Sequence, residues 1–154
     1  MADDAFKIVA RNRRARHDYK IHETYEAGLV LRGSEVKSVR QGKVSLAEAY
    51  ARVRDGEVFL VGAYIKPYEH TGEHDQPDSR RDRKVLLNRS EIRNLQRQVS
   101  IKGNTLVPLS LYFRDGYAKV EIAVERKKKK YDKRRDMKER DAQREIDRAM
   151  KKYK

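Results

Sequence analysis

Two stretches of the chain alternate apolar and polar residues on either side of an Asp-Gly pair, and each predicts a β-hairpin. Val107, Leu109, Leu111 and Phe113 recur at every second position before Asp115-Gly116, and Ala118, Val120, Ile122 and Val124 do so after it. A period of two puts each set on one face of a strand, and Asp-Gly supplies the left-handed residues of a tight turn. Lys119, Glu121 and Glu125 fall on the opposite face and are expected to point outward. Ala49, Ala51 and Val53 lead in the same way into Asp55-Gly56, and the apolar run Val58 to Ile65 leads out. Tyr19 and Ile21 alternate with Lys20 and His22, and the apolar run Ala27 to Leu31 follows, which suggests two further strands.

Elsewhere the period changes. Val36 and Val39 stand three apart between Ser34, a suitable N-cap, and Gly42, a suitable stop, and predict a short helix. Asn88 followed three residues later by Glu91 has the form of a capping box, Ile92, Leu95 and Val99 make a buried stripe, and Gly103 ends this second helix. From Lys66 to Lys84 the chain is charged and broken by two prolines, a long loop closed by the basic knot Arg80-Arg81-Asp82-Arg83-Lys84. About six short strands with no repeated strand-helix-strand rhythm argue against a parallel sheet. The expected fold is mainly β, a small antiparallel barrel of the OB-like kind with two or three short helices, spanning residues 6–124. An open sheet with helices on one face is the alternative.

The remaining residues, 125–154, change the picture. They carry fifteen Lys or Arg against seven Asp or Glu, more than half of the chain's net charge of +14. So polar a segment cannot bury enough apolar surface to offset the entropy of ordering, so the tail is expected to be disordered when free. Asp136 with Arg140 and Asp147 with Lys151 are four apart with the acid first, each pair worth about 0.2 to 0.5 kcal/mol in a helix, too little to hold one alone. Met137, Ala142, Ile146, Ala149 or Met150, and Tyr153 recur at nearly helical intervals, so a helix is expected once a negatively charged channel encloses the tail.

A sequence pI near 10 points to a polyanionic partner, and nucleic acid fits better than a membrane. No stretch approaches the roughly 20 apolar residues of a membrane span, and Met1 to Ala5 lack a secretory pattern, so a cytoplasmic protein is expected. With no cysteine there is no disulfide, thiolate metal site or cysteine nucleophile. His70 and His74 stand four apart but lie in the proline- and glycine-broken loop, where a solvated surface is favoured over a metal site. Neither a phosphate-binding glycine loop nor a nucleophile elbow occurs. The residues therefore read as a binding protein without cofactor rather than an enzyme.

Two basic segments differ in kind. In residues 12–19, arginines are interleaved with Asn12, His17 and Tyr19, which allows phosphate contacts beside stacking and base-edge hydrogen bonds. Arg126 to Lys130 is a plain electrostatic block, followed by Tyr131 as a stacking face.

Ala15-Arg16-His17-Asp18-Tyr19, Tyr25 to Leu31, Gly33-Ser34-Glu35-Val36-Lys37-Ser38-Val39-Arg40, Asp55 to Leu60, Leu109 to Tyr112 and Asp132 to Arg140 occur in that order. Together they resemble the SmpB family of SsrA-binding proteins over nearly everything from Phe6 to Lys154. The resemblance implies an OB-like barrel that binds the tRNA-like domain of transfer-messenger RNA and delivers it to stalled ribosomes for trans-translation, without catalysis. It also implies a monomer, with elongation factor Tu in the same complex. It places Asn12, Arg13, Arg14, Arg16, His17, Tyr19, Glu35 and Lys37 at the RNA-binding face. In the tail it places Lys128, Lys129, Tyr131, Asp132, Lys133 and Arg134 at the decoding centre of the small subunit, and Ile146 and Met150 on the apolar side of a helix in the messenger channel. Glu35 stands out, since an acid beside RNA repels phosphate; it must accept from base or sugar donors, or else form an ion pair with Lys37 or a neighbour. Lys127 stands where many members have Gly, and Tyr131 where many have His, which keeps a stacking face and removes a titrating one. A general RNA-binding OB protein or ribosome-associated RNA chaperone is the competing reading.

Overall fold

The structure, a computed structural model, describes residues 6–13, 19–68, 77–127 and 130–152, with the side chains of Tyr19, 127, 130–136 and Lys152 excepted. Along them run β1 (Phe6–Arg11), β2 (Tyr19–Leu29), α1 (Gly33–Arg40), β3 (Val44–Ser45), β4 (Tyr50–Arg54), β5 (Glu57–Val61), β6 (Tyr64–Ile65), β7 (Arg83–Leu86), α2 (Arg89–Ser100), β8 (Asn104–Arg114), β9 (Tyr117–Lys127) and α3 (Lys130–Lys152). His70 and His74 lie outside the described residues.

Both Asp-Gly pairs turn as their chemistry demands. Asp55 and Gly56 have φ of 53° and 75°, Asp115 and Gly116 of 51° and 83°, so each pair takes the two left-handed positions of a two-residue hairpin. The hairpins β4-β5 and β8-β9 belong to one antiparallel sheet of order β1-β8-β9-β2-β7-β5-β4. β4, at one end of this order, returns to lie against β8, the neighbour of the other end. The mainly β, nearly closed barrel expected from the sequence is therefore what the chain builds. Ala27, Val58, Leu60, Val85, Leu111, Val120, Ile122 and Val124 fill its interior, each at most 2% exposed. Leu95 of α2 is fully buried among them. Asn88 caps α2 as its sequence predicts, its side chain accepting from the Glu91 N–H at 2.9 Å while Glu91 accepts from the Asn88 N–H at 3.1 Å. Val99, expected in the buried stripe, is 39% exposed.

Three local expectations are corrected. Val107 and Leu109 do not share a face with Leu111 and Phe113. The β8-β9 register slips between Pro108 and Ser110, and a bulge of one residue reverses which side chains face inward. Leu106, Leu111 and Phe113 enter the main core, while Val107 and Leu109 form a second cluster with Ala123 and Ile21. Glu125, expected to face outward, is fully buried; β9 lies between β2 and β8, with Ile21 and Thr105 as the neighbours of Glu125 in register. Ser34 is not the cap of α1, which starts at Gly33 after Arg32; Glu35 closes that end by accepting the Arg32 N–H at 2.9 Å.

Glu35 does more than cap. It is 3% exposed, and its carboxylate accepts Nε of the fully buried Arg83 at 2.7 Å and both Nε and a terminal nitrogen of Arg81, at 3.2 and 2.5 Å. Arg83 spends its other donors on the carbonyls of Ala63, at 2.9 Å, and Ser79, at 3.1 Å. One carboxylate thereby joins α1, the end of β6's approach and the start of β7. Burial alone pushes the Glu35 pKa up, but the hydrogen bonds from Arg81, the Arg32 amide and Arg83 outweigh it and hold the carboxyl below its ordinary value. Burial pulls the Arg83 guanidinium down, against the pull of Glu35.

Removing Glu35 leaves Arg83 buried without its anion, so Glu35→Ala is expected to cost about 3 to 5 kcal/mol, read from urea midpoints. Since the folded Glu35 pKa is depressed, its contribution is complete above the unfolded carboxylate pKa and is lost as pH falls through the folded one. The stability gap between the native chain and Glu35→Gln should accordingly close as pH drops below about 4; a gap independent of pH would remove the carboxylate from this role. At Gly62, with φ of 79°, an added Cβ would lie 2.8 Å from the Glu48 carbonyl oxygen, so Gly62→Ala should lower the thermal midpoint, whereas Gly56→Ala has open space to accept the methyl and only its φ to strain.

Candidate nucleic-acid interface

The first basic segment leaves the barrel at the β8 bulge. β1 pairs with β8 from Phe6 opposite Arg114 to Arg11 opposite Ser110, and the Asn12 N–H donates to the Leu109 carbonyl at 2.8 Å. The next residue back in β8 is Pro108, which has no N–H to continue a ladder. Asn12 is consequently pinned and 9% exposed, while Arg11 and Arg13 on either side are exposed. Both arginines line a groove of about 600 Å³ over the outer sheet face, together with Phe6, Ile8, Tyr112 and Arg114. Tyr112 donates its hydroxyl to Glu26 at 2.5 Å, and Glu26 also holds Arg114 at 2.7 Å. Burial and the neighbouring Glu26 carboxylate push the Tyr112 pKa far up, so it stays a hydrogen-bond donor.

The second patch is built on α1 and the two ends of the long loop. Lys37 is exposed, its ammonium 5.2 Å from the centroid of the Tyr68 ring. Glu35, two residues back, points to the other side of the helix and is enclosed. The ion pair left open by the sequence is therefore formed, but buried, and with Arg81 and Arg83 rather than Lys37. Arg81 is its outward end, with a side chain 26% exposed against none for Arg83. Arg40, in the last turn of α1, lays its guanidinium 5.1 Å from the Phe113 ring, where the helix meets the barrel.

Of the residues singled out from sequence, Asn12 and Arg13 share the groove, and Glu35 and Lys37 share α1 on opposite sides. Arg14, Arg16 and His17 lie outside the described residues; Tyr19 is placed by its backbone, opposite Lys127 in the β2-β9 ladder. In the tail, Lys128 and Lys129 lie outside the described residues, and Tyr131, Asp132, Lys133 and Arg134 belong to α3 with side chains outside the description. Ile146 and Met150 are 53% and 65% exposed, and every side chain described in α3, from Met137 to Lys151, is exposed. Asp147 accepts from Gln143 at 3.1 Å, one turn back. Sequence reasoning missed Arg81, Arg114, Tyr112 and Glu26. The basic knot drew attention to Arg81 without separating it from Arg83, and Tyr112 was visible only as the outward neighbour of Leu111 and Phe113.

Comparison with known proteins places the chain among its relatives. A family model described as SmpB protein matches residues 9–152. The SsrA-binding protein of Acetivibrio thermocellus is 54% identical over 151 residues, 98% of this chain and 97% of that one. Its counterpart in Chloroflexus aurantiacus is 58% identical over 144 residues, 94% and 90% of the two chains. A chain in a solved structure described as "tmRNA-SmpB: a journey to the center of the bacterial ribosome" is 51% identical, superposes with a TM-score of 0.65 and covers 80% of this chain and 90% of that one. The chain belongs to the SmpB family of SsrA-binding proteins.

Proposed function

We propose that this protein binds the tRNA-like domain of transfer-messenger RNA with its barrel and carries it to ribosomes stalled on messages without a stop codon, while the tail occupies the empty decoding centre and messenger channel. The work is binding in the cytoplasm, with no chemical step of its own. The observation that carries the reading is α3. It hides none of its described side chains from water, yet keeps Met137, Ile146 and Met150 among its charges. A helix of this composition has no internal means of persisting in water. Its ordering is coupled to a partner that supplies negative charge on one side and an apolar wall on the other, and the lining of a ribosomal RNA channel does both.

The division of labour follows. Residues 6–124 recognise RNA and 125–154 act on the ribosome, with β9 running to Lys127 as the stem between them. Asn12, Arg13, Arg14, Arg16, His17, Tyr19 and Lys37 contact the RNA, and Glu35 contributes through Arg81, whose guanidinium it fixes at the surface end of the clamp. In the tail, Lys128, Lys129, Lys133 and Arg134 neutralise phosphates, Tyr131 stacks, Asp132 accepts from base or sugar donors, and Ile146 and Met150 seat the helix.

Binding of a tRNA-like RNA fragment at moderate salt by the full chain and by a chain ending after Lys127 tests this reading. Equal, selective binding by both is expected, with ribosome rescue lost on truncation. Selective binding that vanishes with the tail would instead make the protein a general polyanion binder. Rearranging residues 128–154 at constant composition should spare RNA affinity and abolish rescue, because Ile146 and Met150 would no longer share a face. Arg81→Ala should weaken RNA binding and reduce the slope of log K against log salt by about one, without the large stability loss of Glu35→Ala.

A further inference from the structure

The groove beside β1 has more in it than a phosphate clamp requires. Phe6 is 44% and Ile8 36% exposed, and apolar surface of this kind at the edge of a basic patch has no use in holding phosphates. The Phe6 ring lies 5.0 Å from that of Tyr112, tilted by 47°. The Arg114 guanidinium stands 5.4 Å from the Phe6 centroid and 5.7 Å from that of Tyr112. Two of the three are tied down, since Glu26 takes the Tyr112 hydroxyl and Arg114 together. Two aromatic rings and a guanidinium plane thus lie together before any ligand arrives, flanked by Arg11 at the end of β1 and by Arg13 just beyond it. The groove also contains the Ser110 and Thr24 hydroxyls and the half-buried Glu121.

We propose that this groove receives one unpaired base of the bound RNA, stacked on Phe6 and Arg114, with the adjoining phosphates on Arg11 and Arg13. The inference rests on the RNA-binding reading above and adds a subsite to it. Bases within a helix hide their faces against each other, so only a bulged, looped or terminal nucleotide can offer a face to Phe6. The size fits, because a groove of about 600 Å³ has room for a nucleotide. Glu121, which makes no hydrogen bond or ion pair among the described residues, is an acceptor and favours a base edge that carries an amino group. Cytosine, adenine and guanine satisfy it; uracil has no exocyclic amine to give.

The test measures the affinity of the full chain and of Phe6→Ala for a tRNA-like RNA fragment, across a salt series and with single abasic substitutions through the RNA's unpaired positions. Phe6→Ala is expected to weaken binding by about 5- to 150-fold, the range for losing one stacked base, with the salt slope unchanged. Arg13→Ala should weaken it with the slope reduced by about one. At one unpaired position the abasic RNA should bind the native chain as weakly as intact RNA binds Phe6→Ala, and should lose nothing further with that variant. Placing uracil there should cost the native chain affinity and cost Glu121→Gln less. Native affinity in Phe6→Ala, or a loss that every abasic RNA compounds, overturns the subsite and leaves the RNA-binding reading intact. A native chain that does not select the fragment over other structured RNA overturns both. Arg114→Lys separates folding from stacking: it keeps the charge beside Glu26 and loses the plane, so a folded variant with native affinity also counts against the proposal.

Discussion

The bulge between Pro108 and Ser110 is the constraint on which the rest of the structure turns. β8 and β9 are eleven residues each and form the longest ladder in the sheet together with β2. In a flat ladder of that length one face would be all core and the other all solvent. One extra residue divides it. Before the bulge Leu106 faces the barrel interior and Val107 and Leu109 face outward into their own small cluster; after it Leu111 and Phe113 face in, and Ser110, Tyr112 and Arg114 face out. The bulge also bends the strand, which helps β4 come back against β8, and it leaves the Leu109 carbonyl to receive the Asn12 amide. The outer groove and the exit of the first basic segment both follow from that slip in register, and it adds to the near closure of the barrel.

The other long-range constraint is electrostatic. A carboxylate in a protein whose net charge is +14 has no shortage of suitors, and Glu35 is shielded from all but those the fold selects. Arg83 gives it a donor that solvent never reaches, and Arg81 gives it one that solvent does. A buried pair of this kind adds little net stability over an apolar replacement, because the desolvation of both charges offsets their attraction. What it adds is position. The carbonyls of Ala63 and Ser79 and the N-terminus of α1 are all tied to the same two side chains, so the edges of the long loop are held against the helix that carries Lys37. An acid in a basic patch, which made no electrostatic sense on the surface, makes sense as the anchor of a cation.

How much of this the sequence disclosed depended on distance along the chain. The two Asp-Gly turns and the Asn88 cap were legible because the groups that decide them lie within three residues of each other. So was the exposure of every side chain described in α3, since the composition there excludes a core. The bulge was not legible: Leu106, Val107, Leu109, Leu111 and Phe113 are apolar on both sides of the slip, so either register satisfies the pattern. Arg83 reads in sequence as one more cation in a basic knot, and only its partner Glu35, 48 residues away, makes it internal. Glu125 was misread for a related reason, since alternation gives the face a side chain takes and not how deeply that face is buried. The candidate RNA-contacting residues between Asn12 and Tyr19 were marked by their chemistry, whereas Phe6, Tyr112, Arg114 and Glu26 come together only when β1 and β2 are laid on either side of the β8-β9 pair.

The join between β9 and α3 gives the two halves of the molecule their relation. β9 is paired along its length, its last described partners being Lys20 and Tyr19, and α3 begins three residues after it ends. A strand that is held to its final residue transmits direction, since its last peptide planes are fixed by hydrogen bonds to a neighbour. Glu125, buried two residues before the end, fixes it further. The tail therefore sets out from a stem whose heading is held by backbone pairing as far as Lys127. A Gly at position 127 would have put a swivel inside the ladder; Lys127, paired with Tyr19, keeps the strand character to the last position. Whatever RNA the barrel grips, the point from which the tail searches for its channel is set by the same sheet, and the entropy lost when the tail orders is confined to the tail itself.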